Sequence, residues 1–116
     1  MFDVTKPNRN PTYLFFVLGL RLAKATVECQ AVAPGLTIFE GWRHPKRQEW
    51  LYAEGRTRPG KIRTQAVAWR SWHQLGLSAD VAVKSPEGEW SWDFDTAAVQ
   101  AIMLENGLER GPKFED

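Results

Sequence analysis

The stretch RSWHQLGLSADVAV, residues 70 to 83, contains two side chains that could take part in hydrolytic chemistry. It places His73, one of two histidines in the chain, seven residues before Asp80, with Gly76 between them. An imidazole and a carboxylate are ordinary zinc ligands, and a hydrolytic zinc site needs about three such ligands. Glycine lets the backbone fold back so that the two side chains could converge. The same spacing also fits a loop histidine and a turn acid in a well-packed hairpin, so both interpretations stand at this point.

Arg43 follows directly after the stretch LTIFEGW, where side chains leave the edge of a predicted sheet. A fixed guanidinium there could bind a carboxylate or stabilise the oxyanion of peptide hydrolysis. A solvated arginine is the alternative. His44 precedes Pro45 at a helix start, which favours a capping or surface role over metal ligation. The six tryptophans could line a sugar-binding groove, although in so small a domain most are expected to be core or half-buried anchors.

The elements that must position these side chains begin with a helix predicted over residues 11 to about 32. Pro11 and Thr12 provide its start, and apolar residues then recur at helical spacing, which predicts one core helix. The predicted apolar face comprises Leu14, Val17, Leu18, Leu22, Ala25 and Cys29.

Shorter segments separated by turn residues account for the rest of the chain. The predicted elements are a strand at LTIFEG, a helix from Pro45 to Gly55, a long loop over residues 56 to 72, a hairpin over residues 76 to 94 that turns at Pro86-Glu87-Gly88, and a helix from its N-cap Asp95 to Gly107 with Ala98, Ile102 and Leu104 on its apolar face. This order predicts an α+β fold, with helices packed on a small antiparallel sheet.

Composition narrows the class of protein. A length of 116 residues suits one domain, and a net charge of +1 gives no sign of a broad basic surface for nucleic acid. Cys29 is the only cysteine, so no internal disulfide is possible and a reducing compartment is expected. The most apolar segment is broken by Arg21 and Lys24 before the roughly 20 residues that a bilayer requires, and it does not read as a secretory signal. The sequence does not indicate an oligomeric state.

Two longer stretches, FEGWRHPKRQEWLYAEGRTRPGKIRTQA and SWHQLGLSADVAV, together resemble the LAS peptidases, zinc enzymes that cut peptidoglycan stem peptides. That superfamily includes D-alanyl-D-alanine carboxypeptidases and the L-alanyl-D-glutamate endopeptidases of phage endolysins. The endolysin branch fits best, because this linked set includes its Ser-x-His-x-x-Gly-x-x-x-Asp core. The resemblance implies the LAS, or hedgehog-like, peptidase fold.

Carried over position by position, the resemblance implies that His73 and Asp80 are zinc ligands. It makes Arg43 the arginine that acts on the substrate or the transition state. Gln48 and Ser71 would support the site by hydrogen bonding. The chain departs from the usual pattern mildly, with histidine rather than serine at position 44 and serine rather than alanine at position 78.

The family closes with a strand reading roughly Gly-Leu-Glu-Trp-Gly, followed by Phe-x-Asp-x-Pro-His-Phe. Its acidic residue is the general base and its histidine is the third zinc ligand. GLERGPKFED matches as far as Phe114 and Asp116, so the resemblance makes Asp116 the general base and places the third ligand three residues beyond it. An alternative alignment puts Lys113 at the ligand position, where an ammonium would repel the ion. Residues 1 to 116 are thus expected to form one peptidase-like domain without the final ligand-bearing strand.

The function that the resemblance implies is a zinc-dependent peptidoglycan peptidase of the endolysin type. An endolysin would accumulate in the host cytoplasm without a signal peptide and reach the cell wall after release through a holin. The alternative is a truncated or catalytically inactive derivative that acts as a cell-wall-binding or regulatory module.

Overall fold

The computed structural model describes residues 2–68 and 71–110, and it confirms the predicted α+β fold. Over these residues, α-helices flank a small antiparallel sheet. The elements are α1 (Phe16–Glu28), β1 (Leu36–Glu40), α2 (Pro45–Ala53), β2 (Asp80–Lys84), β3 (Trp90–Ser91) and α3 (Thr96–Glu105). No helix in the described ranges is both long enough and apolar enough to cross a membrane.

The first predicted helix is divided into three parts. The Asn10 side chain accepts a hydrogen bond from the Thr12 N–H and opens a 3-10 turn, Pro11–Tyr13, after which Leu14 is extended. A second 3-10 turn, Cys29–Ala31, follows α1. The prediction of one helix from Pro11 was therefore wrong, because the extended Leu14 separates the first turn from α1.

Most of the core residues predicted for this segment are buried. Leu14, Leu22, Ala25 and Cys29 are buried as predicted, and Leu18 is half-buried. Val17 is exposed, so the prediction was wrong at that position. Val17 lies five positions before the buried Leu22, which is about 140° away around a helix of 3.6 residues per turn.

The sheet has the order β1-β2-β3, and both strand pairs are antiparallel. Leu36 pairs with Val83 at one end of β1, and Glu40 pairs with Asp80 at the other. A bulge between Ile38 and Glu40 shifts the register of β1. The predicted hairpin is confirmed, with β2 and β3 joined through the turn at Gly88, whose φ is +88°. The pairing of Glu40 with Asp80 brings two acidic residues to one end of the sheet.

The two faces of the sheet have different environments. Val81 and Val83 of β2 alternate with Asp80, Ala82 and Lys84, so the two sets point to opposite faces. The valine face packs against the apolar core, whose buried members are Cys29, Ala33, Leu36 and Val99. The face that carries Asp80 is thereby left for the candidate site.

The last helix begins where it was predicted. Asp95 caps α3 by accepting a hydrogen bond from the Ala98 N–H, and Gly107 adopts a φ of +74° just beyond the end of the helix. Val99 is buried, and the neighbouring apolar residues Ile102 and Met103 pack against the core. Leu104 is 65% exposed, so its predicted place on the apolar face was wrong. Five positions after Val99, Leu104 lies about 140° away around a helix of 3.6 residues per turn.

The second helix is also confirmed, as is the described part of the long loop after it, residues 56–68. Helix α2 begins at Pro45 and ends at Ala53, close to the predicted Gly55. The loop is fixed to this helix by arginines, because Arg56 donates to the Tyr52 carbonyl (2.7 Å) and Arg58 to the Trp50 carbonyl (2.9 Å). Each guanidinium also lies over the ring of the residue whose carbonyl it binds.

Candidate active site

His73 is held in a short 3-10 turn, Trp72–Leu75. Ser71 caps this turn, since its hydroxyl accepts a hydrogen bond from the His73 N–H (3.2 Å). Gln74 completes a capping box by accepting from the Ser71 N–H (3.3 Å). Ser71 therefore supports the site through the backbone of the turn and makes this contact with the His73 amide, not with its ring.

Gly76 ends the turn in the left-handed region, with φ of +70°. A Cβ at this position would lie 3.1 Å from both the Phe15 nitrogen and the Tyr13 oxygen. The Gly76 carbonyl also accepts a hydrogen bond from the Phe15 N–H (2.8 Å). Glycine is thus needed for conformation and for space, and its position ties the His73 turn to the start of α1.

The His73 ring is buried and oriented by the backbone of the segment after β1. Its Nδ1 lies 2.8 Å from the Gly41 carbonyl oxygen. Because a carbonyl can only accept, Nδ1 carries the hydrogen in this contact, and in the neutral imidazole the other nitrogen, Nε2, presents its lone pair. Nε2 lies 3.6 Å from Asp80 Oδ2 and 3.5 Å from the Ser78 hydroxyl. The side chain of Asp80 is 46% exposed, so a solute can reach this pair from outside.

Arg43 lies beside the same carboxylate. One terminal nitrogen, Nη1, donates to Gln48 Oε1 (2.8 Å), and the other, Nη2, donates to Glu40 Oε1 (3.0 Å). Nη2 is also 3.8 Å from Asp80 Oδ2, and the Arg43 N–H donates to the His73 carbonyl (3.0 Å). The solvated-arginine alternative is therefore wrong, because Arg43 is 9% exposed and fixed on several sides.

The Arg43 Nε is a further buried donor at this place. It has no hydrogen-bond partner among the described residues. Most buried donors in folded proteins are paired, so an open one beside a candidate site is consistent with a group that binds there.

Glu40 was not anticipated from the sequence, yet it anchors this cluster. Its carboxylate accepts hydrogen bonds from both Arg43 and Arg47, and it is almost fully buried at the end of β1. Burial alone would raise the pKa of the Glu40 carboxyl. The hydrogen bonds from Arg47 and Arg43 and the charges of these two arginines outweigh that effect, so the pKa lies below its ordinary value. The spacings of three and seven residues from Glu40 to Arg43 and Arg47 do not by themselves indicate burial, because charged residues are ordinarily exposed.

Gln48 connects the guanidinium to the long loop. Its Oε1 accepts from Arg43 and from Gln74 Nε2 (3.1 Å), while its Nε2 donates to the Ala66 carbonyl (2.6 Å) and the Thr64 hydroxyl (3.2 Å). The side chain is fully buried. Gln48 thus holds Arg43 on one side and the loop on the other.

The donor set of His73 and Asp80 fits a zinc ion in chemistry and in spacing. Two ligands at about 2.0 to 2.2 Å from a tetrahedral ion lie about 3.3 to 3.6 Å apart. The observed separation of Nε2 and Oδ2 is 3.6 Å. The same two atoms could instead form a weak ion pair if Nε2 were protonated, since the carboxylate is partly in water.

A third ligand is not found in residues 2–68 and 71–110, where no three His, Cys, Asp or Glu side chains converge on one point. His44 is not such a ligand. Its Nδ1 accepts a hydrogen bond from the Lys46 N–H (3.0 Å), which confirms the predicted capping role, and its ring stacks on Phe2. Asp116, the predicted general base, and Lys113, the alternative ligand position, lie outside the described residues.

Comparison with known proteins finds a similarity to a bacterial enzyme. The chain is 40% identical over 60 residues to the peptidoglycan L-alanyl-D-glutamate endopeptidase CwlK of Bacillus subtilis (strain 168). The aligned residues are 52% of this chain and 36% of CwlK, so the chain spans about a third of that relative's length. No family model matches the chain.

Proposed function

We propose that this protein is a zinc-dependent peptidoglycan peptidase that hydrolyses a bond in the stem peptides of bacterial cell wall. The observation that carries the proposal is the approach of His73 Nε2 to Asp80 Oδ2 at 3.6 Å, beside a buried arginine. The similarity to CwlK supports the substrate class. CwlK is an L-alanyl-D-glutamate endopeptidase, which favours the L-alanyl-D-glutamate bond over the D-alanyl-D-alanine bond as the one hydrolysed.

In this proposal His73 and Asp80 hold the zinc ion, and the Gly41 carbonyl keeps Nε2 of the imidazole available. When bound, zinc would act as a Lewis acid and lower the pKa of water. Asp116, by its resemblance to the family base, would take the proton of the attacking water at its carboxylate. The third ligand would be the histidine that the resemblance places three residues beyond Asp116.

Arg43 would act on the substrate itself. Glu40 and Gln48 fix its guanidinium, so the charge is in place before substrate arrives and need not reorganise. An arginine in this position can stabilise the negative charge that develops on the carbonyl oxygen of the scissile peptide. Burial strengthens that interaction relative to water.

A second candidate function is a cell-wall-binding or regulatory module that does not hydrolyse its ligand. It is favoured by the presence of only two converging candidate ligands within the described ranges. The two functions differ in metal content and in product formation, although both imply the same polymer as ligand.

The biological setting belongs to the same proposal. We place the protein among phage endolysins, made in the host cytoplasm and acting on the wall after release. Detection of lysis only when the purified protein is added from outside, or when a holin is co-expressed, would agree with this setting. Lysis on expression of the peptidase alone would argue against it.

The test uses the chain extended after Asp116 by a tail beginning x-Pro-His-Phe. It combines zinc analysis with cleavage of purified peptidoglycan, followed by mass spectrometry of the released peptides. Zinc-dependent release of new amino termini is expected, and His73→Ala or Asp80→Ala should abolish it. Glu87→Ala, at an exposed position of the hairpin turn, is the matched control for loss of a carboxylate. Cleavage that survives in the His73→Ala variant, or that persists after complete removal of zinc, would overturn the zinc mechanism.

A further inference from the structure

An aromatic cluster formed by Phe39, Trp90 and Trp92 lies beside the candidate site and takes no part in it. Phe39 contacts Trp90 edge to face, with ring centroids 5.1 Å apart, and contacts Trp92 in the same manner at 5.0 Å. These contacts join the end of β1 to the hairpin strand β3 and the residue that follows it. Trp90 and Trp92 are two of the six tryptophans of the chain, and the proposed hydrolysis assigns them no role.

The register of the sheet puts this cluster on the same face as Asp80. Trp90 pairs with Lys84, and Lys84 shares a face with Ala82 and Asp80 because side chains alternate along a strand. Ala82 is fully buried and contributes only a methyl group to that face. Two residues along a strand span about 7 Å, so Ala82 lies roughly that far from Asp80.

The three rings differ in how accessible each is to a ligand from solvent. The Arg9 guanidinium lies over the faces of Phe39 (5.1 Å) and Trp90 (4.7 Å), and the Lys84 ammonium is 5.6 Å from the Trp90 centroid. Trp92 is 55% exposed. Its indole is thus both accessible and held in place by the edge contact with Phe39.

We infer that Trp92 is the stacking platform of a sugar subsite that binds the glycan strand of peptidoglycan. An indole face packs against the C–H face of a pyranose, while the hydroxyl and acetamido oxygens of the sugar need donors around it. Arg9 and Lys84 provide such donors at the rim of the cluster. The inference rests on the proposed function for its substrate, and it adds that the protein recognises the sugar to which the peptide is attached.

The size and surroundings of the cluster favour a sugar over a protein partner. A stable protein interface takes about 20 to 30 residues from each side and has few charges at its centre. Here two cations lie directly against the rings, and one indole provides the open surface. A small amphipathic ring suits this arrangement better than a second copy of the chain does.

Binding can be tested without any hydrolysis, by calorimetry with the β-1,4-linked tetramer of N-acetylglucosamine. Saturable binding is expected, with the Kd raised about tenfold or more in Trp92→Ala and largely restored in Trp92→Phe. Leu104→Ala, which removes an exposed apolar side chain on α3, is the matched control and should bind as the parent does. No binding by the parent, or binding that Trp92→Ala leaves unchanged, would overturn the inference. Concentration-dependent dimerisation that Trp92→Ala abolishes would also overturn it, because a second copy would then occupy the surface.

A kinetic comparison separates this inference from the proposed function. In protein that is able to cleave stem peptides, the Trp92→Ala substitution should raise KM about tenfold for peptides that are still attached to glycan. Cleavage of free peptides should be unchanged. Equal effects on both substrates would contradict a sugar subsite while leaving the peptidase intact. Tetramer binding that depends on Trp92, in a protein that cleaves neither substrate, would support the subsite and reject the peptidase.

Discussion

Arg43 owes its position to acceptors on two different elements, Glu40 on β1 and Gln48 on α2. A lysine would keep the charge and could still pair with Glu40, but it cannot make both contacts with one planar group. We therefore expect Arg43→Lys to lower kcat/KM for peptide cleavage by about a hundredfold, the loss typical of a misplaced donor to a developing oxyanion. Zinc affinity should change far less, as measured by competition with a chromogenic chelator.

The control for this variant is its folding. Thermal unfolding should show that Arg43→Lys remains folded, since Arg47 still pairs with Glu40. Loss of zinc in parallel with loss of activity would contradict the assigned role and make Arg43 a residue that organises the metal ligands.

Glu40 gives rise to a pH dependence of stability. Its pKa is lower in the folded protein than the ordinary value of 4.5, so its ionised form stabilises the fold above that pH. The contribution is lost as the pH falls below 4.5 and through the lower folded pKa. Glu40→Gln should cost about 3 to 5 kcal/mol at pH 7, because Arg43 and Arg47 would lose a buried charge partner.

Urea unfolding at several pH values between 7 and 3 measures this effect. The parent should lose more stability on acidification than Glu40→Gln does, and the two curves should approach each other at low pH. Glu87→Gln, at an exposed turn position, should follow the parent. Parallel curves for the parent and Glu40→Gln would show that Glu40 does not titrate as described.

Some of these residues could be identified from the sequence, and others could not. His73 and Asp80 could be singled out because glycine and ligand types appear in one short stretch. Glu40 and Arg47 could not, since charged residues are ordinarily exposed and their burial depends on mutual pairing across two elements. Whether Arg43 was solvated or fixed also depended on that pairing. The resemblance identified Arg43, but only the structure shows what holds it.

The turn that carries His73 depends on Gly76. An alanine there would have to adopt a φ of +70°, and its Cβ would press on backbone atoms of Phe15 and Tyr13 at 3.1 Å. We expect Gly76→Ala to destabilise the protein by more than the roughly 1 kcal/mol of left-handed strain alone. The turn should also shift, so zinc binding by His73 should weaken.

Gly88 offers a matched control for this prediction. Its φ is +88°, but a Cβ there meets nothing within 4 Å. Gly88→Ala should therefore lose only the stability that the left-handed backbone conformation costs an alanine, because its Cβ meets no neighbouring atom. Zinc binding should be unchanged. Equal unfolding free energies for the two variants would mean that the close approach to α1 contributes nothing.

The start of a helix could be predicted where a capping side chain directly precedes it in the sequence. The histidine before Pro45 and Asp95 before Thr96 marked two helix starts correctly, because a capping side chain acts on amides two or three residues away. The break at Leu14 adjoins Phe15, whose N–H donates to the carbonyl of the distant Gly76, and periodicity within one segment does not contain such a contact. The exposure of Leu104, by contrast, follows from periodicity, because Leu104 lies about 140° around the helix from the buried Val99.

The molecule as a whole separates stability from chemistry by the two faces of one small sheet. Val81 and Val83 cover the core on one face, whereas Asp80 and Ala82 face the candidate site and the aromatic cluster on the other. Because β2 contributes to both, changes that loosen the core are expected to reach the site through this strand. The alternation of residues 80 to 84 predicted the strand, but which face was functional followed only from the packing of Cys29 and Val99.

The zinc site can be tested as a property of the entire polypeptide. With one imidazole and one carboxylate at 3.6 Å, the 116-residue chain should bind zinc weakly, since each further ligand adds both a bond and a geometric constraint. A version extended after Asp116 by a tail beginning x-Pro-His-Phe should bind zinc tighter by orders of magnitude and gain thermal stability on zinc addition. It should also cleave stem peptides, measured by release of amino termini from purified peptidoglycan.

The control for the tail is the same extension with alanine in place of its histidine, which should bind zinc no better than the 116-residue chain. In the extended protein, Asp116→Ala should keep the metal and lose cleavage, because removal of a general base affects proton transfer and not ligation. If the 116-residue chain already binds one zinc tightly and cleaves cell wall as fast as the extended protein, the alignment of the C-terminal segment is wrong. A group outside residues 2–68 and 71–110 other than the proposed histidine would then complete the site.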